Sequence, residues 1–248
     1  MRVEVFFVPQ EVTPADVANR VVAVVDVLRA STSIAAALAN GARAVVPLAT
    51  SEDVISRSKS LGVGAAKLAG ERRMQAIPGF DFGNSPLEFT RDAVEGRTIL
   101  MSTTNGTAAV LAVQGARDVV VASYVNFAAV LSMLRAALRG GTDVAIVCAG
   151  HERHFALEDA ACAGSFVRHI MEKHTAADTN DAAQAALVID KKFATSLKRL
   201  FRTSAHGIAL AEAGFGDDLV ACAKLDSFPV IPVYQDRQIT KLGPERAR

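Results

Sequence analysis

The stretch Thr98-Ile99-Leu100-Met101-Ser102-Thr103-Thr104-Asn105-Gly106-Thr107 decides how the rest of this chain is read. The run Thr98 to Met101 is apolar and strand-like, and an Ala/Val/Leu pattern from Ala108 to Gln114 has helical spacing. A strand that passes through a polar turn directly into a helix is the building unit of an α/β sheet. Helix starts leave backbone N–H groups unpaired, and their dipoles favour an anion. A cap needs only one Ser, Thr or Asn. Here Thr103, Thr104, Asn105, Gly106 and Thr107 stand in a row, so the turn reads as an oxyanion site as well as a helix start.

The same alternation recurs on both sides. Strands are expected at Val3–Val8, Val21–Leu28, Ala44–Leu48, Ala65–Leu68, Thr98–Ser102, Val119–Ala122, Val144–Cys148 and Val230–Val233. Several are continuous Val/Ile/Ala runs, as befits strands buried on both faces. Helices are expected between them at Ser33–Ala39, Ser51–Leu61, Thr107–Gln114, Asn126–Leu138, Leu157–Lys173 and Ala182–Phe193, with almost wholly helical chain from about Thr175 to Asp217. This order predicts an α/β fold: a largely parallel sheet flanked by helices in three α/β/α layers. Pro229 and Pro232 flank the last strand and predict that it lies at an edge. The chain of 248 residues reads as one α/β unit, and a division into two α/β subdomains would fall near residue 97.

Composition narrows the functional classes. Half the residues are hydrophobic and the formal charge is +1, so neither nucleic acid nor an anionic membrane is an expected partner. No run is long enough to span a bilayer, and Met1-Arg2-Val3-Glu4-Val5 reads as a first strand rather than a signal peptide. Cys148, Cys162 and Cys222 fit neither a zinc pattern nor a disulfide framework, which suggests reduced thiols in a cytoplasmic protein. The Ala-rich helices leave a homo-oligomer open.

Other polar groups also follow expected strands. Asp26 ends an apolar run, where a carboxylate is costly unless it is paired or bound to a cation. Arg29 and Ser31-Thr32-Ser33 follow it, either as an ion pair with a cap or as a metal ligand beside phosphate donors. Gly70-Glu71-Arg72 adds a carboxylate and a guanidinium. The loop Pro78 to Pro86 is too rich in Gly and Pro for regular structure and presents Asp81, Asn84 and Ser85. Asn126 is either a plain cap or a ligand-facing amide. Cys148-Ala149-Gly150 leads through His151 and His154 to Glu158-Asp159, a carboxylate pair that suits either a helix start or Mg²⁺. His206 before Gly207 is either a packed polar group or a catalytic one. If the strands are parallel, Asp26, Glu71, Thr103, Asn126 and Gly150 lie on one rim and converge on one cleft.

Taken in order, Asp26-Val27-Leu28-Arg29-Ala30-Ser31-Thr32, Gly70-Glu71-Arg72, Gly79-Phe80-Asp81-Phe82-Gly83-Asn84-Ser85-Pro86, Thr103-Thr104-Asn105-Gly106-Thr107, Cys148-Ala149-Gly150 and Glu158-Asp159 resemble the 2-phosphosulfolactate phosphatase family. The resemblance runs from about Asp26 to Asp226. It implies a Mg²⁺-dependent phosphatase that converts 2-phosphosulfolactate to sulfolactate and phosphate, a step of coenzyme M biosynthesis. On that reading Asp26, Arg29 and Glu71 are catalytic. Asp26, Glu71 and Asp159 are candidate Mg²⁺ ligands, with Glu158 in reserve. Arg29, Ser31, Thr32, Arg72, Asn84, Ser85, Thr103, Thr104, Asn105, Gly106 and Asn126 are candidate contacts to the phosphorylated acid. The alternatives are a phosphatase for another small phosphorylated carboxylic acid and a non-catalytic anion-binding or regulatory protein.

Overall fold

The computed structural model describes residues 1–62 and 64–243. Its strands are β1 (Arg2–Phe6), β2 (Val21–Val25), β3 (Ala44–Pro47), β4 (Ala66–Arg72), β5 (Gln75–Ala76), β6 (Thr98–Ser102), β7 (Asp118–Ala122), β8 (Val144–Cys148), β9 (Asp178–Thr179), β10 (Pro232–Gln235) and β11 (Gln238–Lys241). The helices are α1 (Pro14–Val17), α2 (Ala30–Ala39), α3 (Ser51–Leu61), α4 (Arg91–Val94), α5 (Gly106–Ala112), α6 (Phe127–Arg139), α7 (Leu157–Met171), α8 (Asp181–Phe193), α9 (Leu197–Thr203), α10 (Ala205–Glu212) and α11 (Gly216–Cys222). The sheet order is β5-β4-β6-β3-β11-β10-β7-β2-β8-β1-β9, so the expected α/β sheet flanked by helices is present.

Alternation along each strand builds the layers, because successive side chains point to opposite faces. In β2, Val21, Ala23 and Val25 join the core under α6, α7 and α8, while Val22 and Val24 join the core with α2 and α5. In β6, Ile99 and Met101 enter that second core, and Leu100 packs on the other side with Val54 of α3. Every residue of β2 is buried, and burying one valine side chain contributes about 1.5–3 kcal/mol.

The topology corrects two expectations. The last strand is not an edge: β10 lies between β7 and β11. Pro232 opens the strand, where a missing donor costs least, and Val233 and Tyr234 pair with Val120 and Val119. The strand ends also do not share one flat rim. β1, β2, β7 and β8 run parallel, as do β3, β4 and β6. Between the two groups lie three successive antiparallel pairings, β7–β10, β10–β11 and β11–β3, which reverse the strand sense. The groups meet because the sheet wraps around α2 and α5: α2 packs on β3, β7, β10 and β11, and α5 on β2 and β3. Two short strands, β5 and β9, and the second arm of the last hairpin, β11, carry too little apolar pattern to be read from the sequence.

Candidate active site

Asp26 stands at the exit of β2, where the chain turns into α2. Its backbone N–H donates to Ser31 Oγ at 2.9 Å, and Ser31 N–H donates back to the Asp26 carbonyl at 2.9 Å. Ser31 therefore closes the turn. The Ala30 N–H donates to Asp26 Oδ1 at 3.2 Å. A Cβ added to Gly106 would lie 2.6 Å from Asp26 Oδ2 and 2.5 Å from Ala30 Cβ, so only glycine lets the start of α5 touch this carboxylate. Among the described residues Oδ2 has no hydrogen-bond donor. Burial pushes the Asp26 carboxyl up to about 6, and the Glu71 and Glu158 charges add to this against the opposing pull of His206 and the Ala30 N–H.

Asp159, at the start of α7, ties two strand exits together. Its Oδ1 accepts from Val27 N–H at 2.8 Å and its Oδ2 from Gly150 N–H at 3.1 Å. Burial, with Asp26 and Glu158 beside it, holds its carboxyl well above the usual range. Glu158 is also buried. Its Oε1 faces His206 Nδ1 at 3.2 Å, and its Oε2 has no partner among the described residues. The His206 ring stacks on His151 with centroids 4.1 Å apart.

Glu71 approaches from the opposite strand group. It lies inside β4, which runs four residues past its expected end at Leu68 and turns into β5 through Arg73 and Met74, both at positive φ. At Gly70 a Cβ would meet the Ser102 carbonyl at 2.3 Å, so the absence of a side chain lets the β4 and β6 exits close up. Glu71 Oε1 then accepts from Thr104 N–H at 2.7 Å, and Oε2 from Thr104 Oγ1 at 3.1 Å and Met74 N–H at 3.0 Å. The Thr103 side chain accepts from Thr107 N–H at 3.1 Å, and Thr107 Oγ1 donates to the Thr103 carbonyl at 2.9 Å. Asn105 Oδ1 accepts from Glu152 N–H at 3.0 Å. The turn that opened the sequence reading is thus a wall hydrogen-bonded to Glu71 on one side and to the His151 loop on the other.

The guanidinium groups are held in place. Arg29 is buried, donates to Asp218 Oδ2 at 2.7 Å and to the Met74 carbonyl at 2.9 Å, and lies 4.2 Å over the Phe215 ring. Its ionic partner is Asp218 rather than Asp26. Ser85 Oγ donates to the other Asp218 oxygen at 2.6 Å, and Ser33 Oγ donates to the Asn84 carbonyl at 2.7 Å. Asn84 Oδ1 is buried without a partner among the described residues. Arg72 reaches back to Ser102, with Nη2 2.8 Å from its Oγ.

The structure leaves Thr32 and Asn126 outside this group. Thr32 Oγ1 donates to the Val27 carbonyl at 2.9 Å and lies 2.8 Å from Ser123 Oγ. Asn126 accepts from Ser123 N–H and donates to the Val121 and Val230 carbonyls, which engages its amide on both ends. Conversely, Asp218 was missed, because nothing near Gly216-Asp217-Asp218 marks one of two adjacent acids as the partner of Arg29. His206 carried a weak signal, and its link to Glu158 carried none. All three cysteines are buried, and burial pushes each thiol above its ordinary range, away from the nucleophilic thiolate.

Among the described residues no group of three or more His, Cys, Asp or Glu side chains is gathered tightly enough to hold a metal ion alone. A hard cation such as Mg²⁺ asks for less: one or two carboxylates, with water and substrate oxygens completing its shell. The donor-free Oδ2 of Asp26, amid the like charges of Glu71 and Glu158, fits that demand. Glu71 and Asp159, whose oxygens already accept N–H or O–H donors, suit a supporting role.

A wrapped, largely parallel sheet sets buried carboxylates against hydroxyl-rich turns and a fixed arginine, and similarity to known proteins makes this α/β chain an enzyme of the phosphoric monoester hydrolase class. The profile of the 2-phosphosulpholactate phosphatase family matches residues 6–237, and the chain belongs to that family. It is 40% identical to a probable 2-phosphosulfolactate phosphatase of Symbiobacterium thermophilum over 232 residues, 93% of this chain and 98% of that one. A protein of the same description from Synechococcus sp. (strain JA-3-3Ab) is 42% identical over 231 residues, 92% and 93% of the two chains. Another, from Clostridium acetobutylicum, is 34% identical over 239 residues, 96% and 100% of the two chains. No helix among the described residues is long and apolar enough to cross a membrane.

Proposed function

We propose that this chain hydrolyses 2-phosphosulfolactate to sulfolactate and phosphate with Mg²⁺ bound at Asp26, in the cytoplasm and on a route to coenzyme M. The observation that carries the reading is Asp26 itself: a buried carboxylate whose free Oδ2 meets the start of α5. When bound, Mg²⁺ would offset phosphoryl charge and polarise a phosphoryl oxygen. Glu71 and Asp159 fix the walls around that position through Thr104, Val27 and Gly150. Arg29 has five N–H donors, of which Asp218 and Met74 engage two, so donors remain for an anionic oxygen. Arg72 or Asn84 would meet the carboxylate or sulfonate of the substrate. The phosphoryl group goes either to water directly or first to Asp26 and then to water.

The test is phosphate release from 2-phosphosulfolactate, phospholactate and phosphoglycolate, each with Mg²⁺ and with a chelator. Fastest release from 2-phosphosulfolactate, abolished by the chelator, is the expected result. Preference for another phospho-acid would reassign the substrate, and anion binding without turnover would overturn the enzymatic reading.

A further inference from the structure

We propose that His206 is a catalytic residue that protonates the leaving-group oxygen of the substrate, with Glu158 as the residue that orients it. The inference rests on the phosphatase reading above and goes beyond it by assigning the acid.

Three observations carry it. First, the ring is fixed: Nδ1 lies 3.2 Å from Glu158 Oε1, and one face stacks on His151 at 4.1 Å. Second, Nε2 makes no hydrogen bond among the described residues and is not among the sealed buried polar atoms, so solvent reaches it. Third, its two partners flank the Asp26 turn: Glu158 adjoins Asp159, whose oxygens accept from the N–H of Val27, next to Asp26, and of Gly150, next to His151. Among the described residues Glu158 has no other donor for its buried carboxylate, which makes it a dedicated partner for this imidazole.

The chemistry has a gap that this group fills. In phosphoryl transfer the bond to the leaving oxygen is largely broken in the transition state, so negative charge gathers there. The leaving oxygen of a 2-phospho acid is a secondary alkoxide, which is strongly basic. A donor on that oxygen contributes more than a base on the attacking water, typically about 10²- to 10⁴-fold. The step balances: the P–O bond to the leaving oxygen breaks, its electron pair stays on that oxygen, and the Nε2 proton moves to it. The phosphoryl group passes to the nucleophile. The neutral ring keeps its Nδ1–H on Glu158 Oε1 and regains a proton from solvent.

The leaving group itself supplies a readout that a structural histidine would not move. His206→Asn, His206→Gln and Glu158→Gln are compared with the parent on 2-phosphosulfolactate and on 4-nitrophenyl phosphate, whose phenolate leaves without protonation. The expected result for both His206 variants is a loss of about 10²- to 10³-fold in kcat on 2-phosphosulfolactate and less than about 10-fold on 4-nitrophenyl phosphate. Glu158→Gln should show the same split at smaller size. Equal losses on the two esters, or no loss on either, would overturn the inference and leave the phosphatase reading standing. A parent protein that hydrolyses neither ester would overturn both. If His206→Asn does not fold, His206→Gln and Glu158→Gln carry the comparison.

Discussion

Asp26 is where sequence, electrostatics and chemistry meet. Its carboxyl titrates at about 6 in the folded chain against an ordinary 3.8, so between those values the folded state binds the proton more tightly than the unfolded state. The protein is then more stable on the acid side, and it loses up to about 3 kcal/mol as the pH rises through that window. Asp26→Asn removes the penalty. At pH 7.5 without Mg²⁺ it should melt above the parent while phosphate release falls by about 10²- to 10⁴-fold; a variant that melts lower, by calorimetry, contradicts the assignment. The same shift gives activity an acid limb, since Asp26 must be ionised to hold a cation or attack phosphorus. Without saturating Mg²⁺, kcat/KM should fall as the pH drops below about 6 rather than below 4. At this scale the sequence showed which strand exits carry polar groups, but not what each group touches. Ser31, Thr32 and Asn126 are residue types that serve caps and ligands alike, and only Thr32 Oγ1 on the Val27 carbonyl and the doubly engaged Asn126 amide separate the uses.

Elements bring these side chains together through close approach. α5 can start against Asp26 only because Gly106 lacks a side chain. Gly106→Ala should push α5 away, cost about 1–3 kcal/mol in urea denaturation and lower phosphate release more than about 10-fold; parent-like values in both assays would show that this contact does not matter. Several elements were legible: β6 and β8 match their expected limits, and α3 matches at both ends. β4 was read too short because Ala69-Gly70-Glu71-Arg72 has no apolar alternation, and its strand form comes from pairing with β5 and β6. β10 was misplaced because proline marks an edge only when its missing donor falls inside the ladder, and Pro232 falls at its start.

Across the whole molecule, the β10–β11 hairpin joins two parallel strand groups of opposite sense, and the sheet they form wraps α2 and α5. Strand sense depends on pairings between residues far apart in the chain, such as Val233 with Val120, and no local pattern encodes it. Composition and strand order could therefore show a parallel α/β sheet, yet they put Asp26 and Thr103 on a shared rim that does not exist. Asp26 instead meets the start of α5, at Gly106, across the wrap. A chain ending at Pro229 should lose the cooperative unfolding transition seen by circular dichroism, since only the helices would then bridge the groups; an unchanged transition would show that the hairpin is dispensable. The central claim is that the wrapped sheet builds a Mg²⁺-dependent phosphatase centred on Asp26. The most direct measurement is phosphate release from 2-phosphosulfolactate by the parent and by folded Asp26→Asn, with Mg²⁺ and with chelator. Release by the parent with Mg²⁺ alone, lost in the variant, is the expected result; equal release by the variant, or none by the parent, would contradict the account.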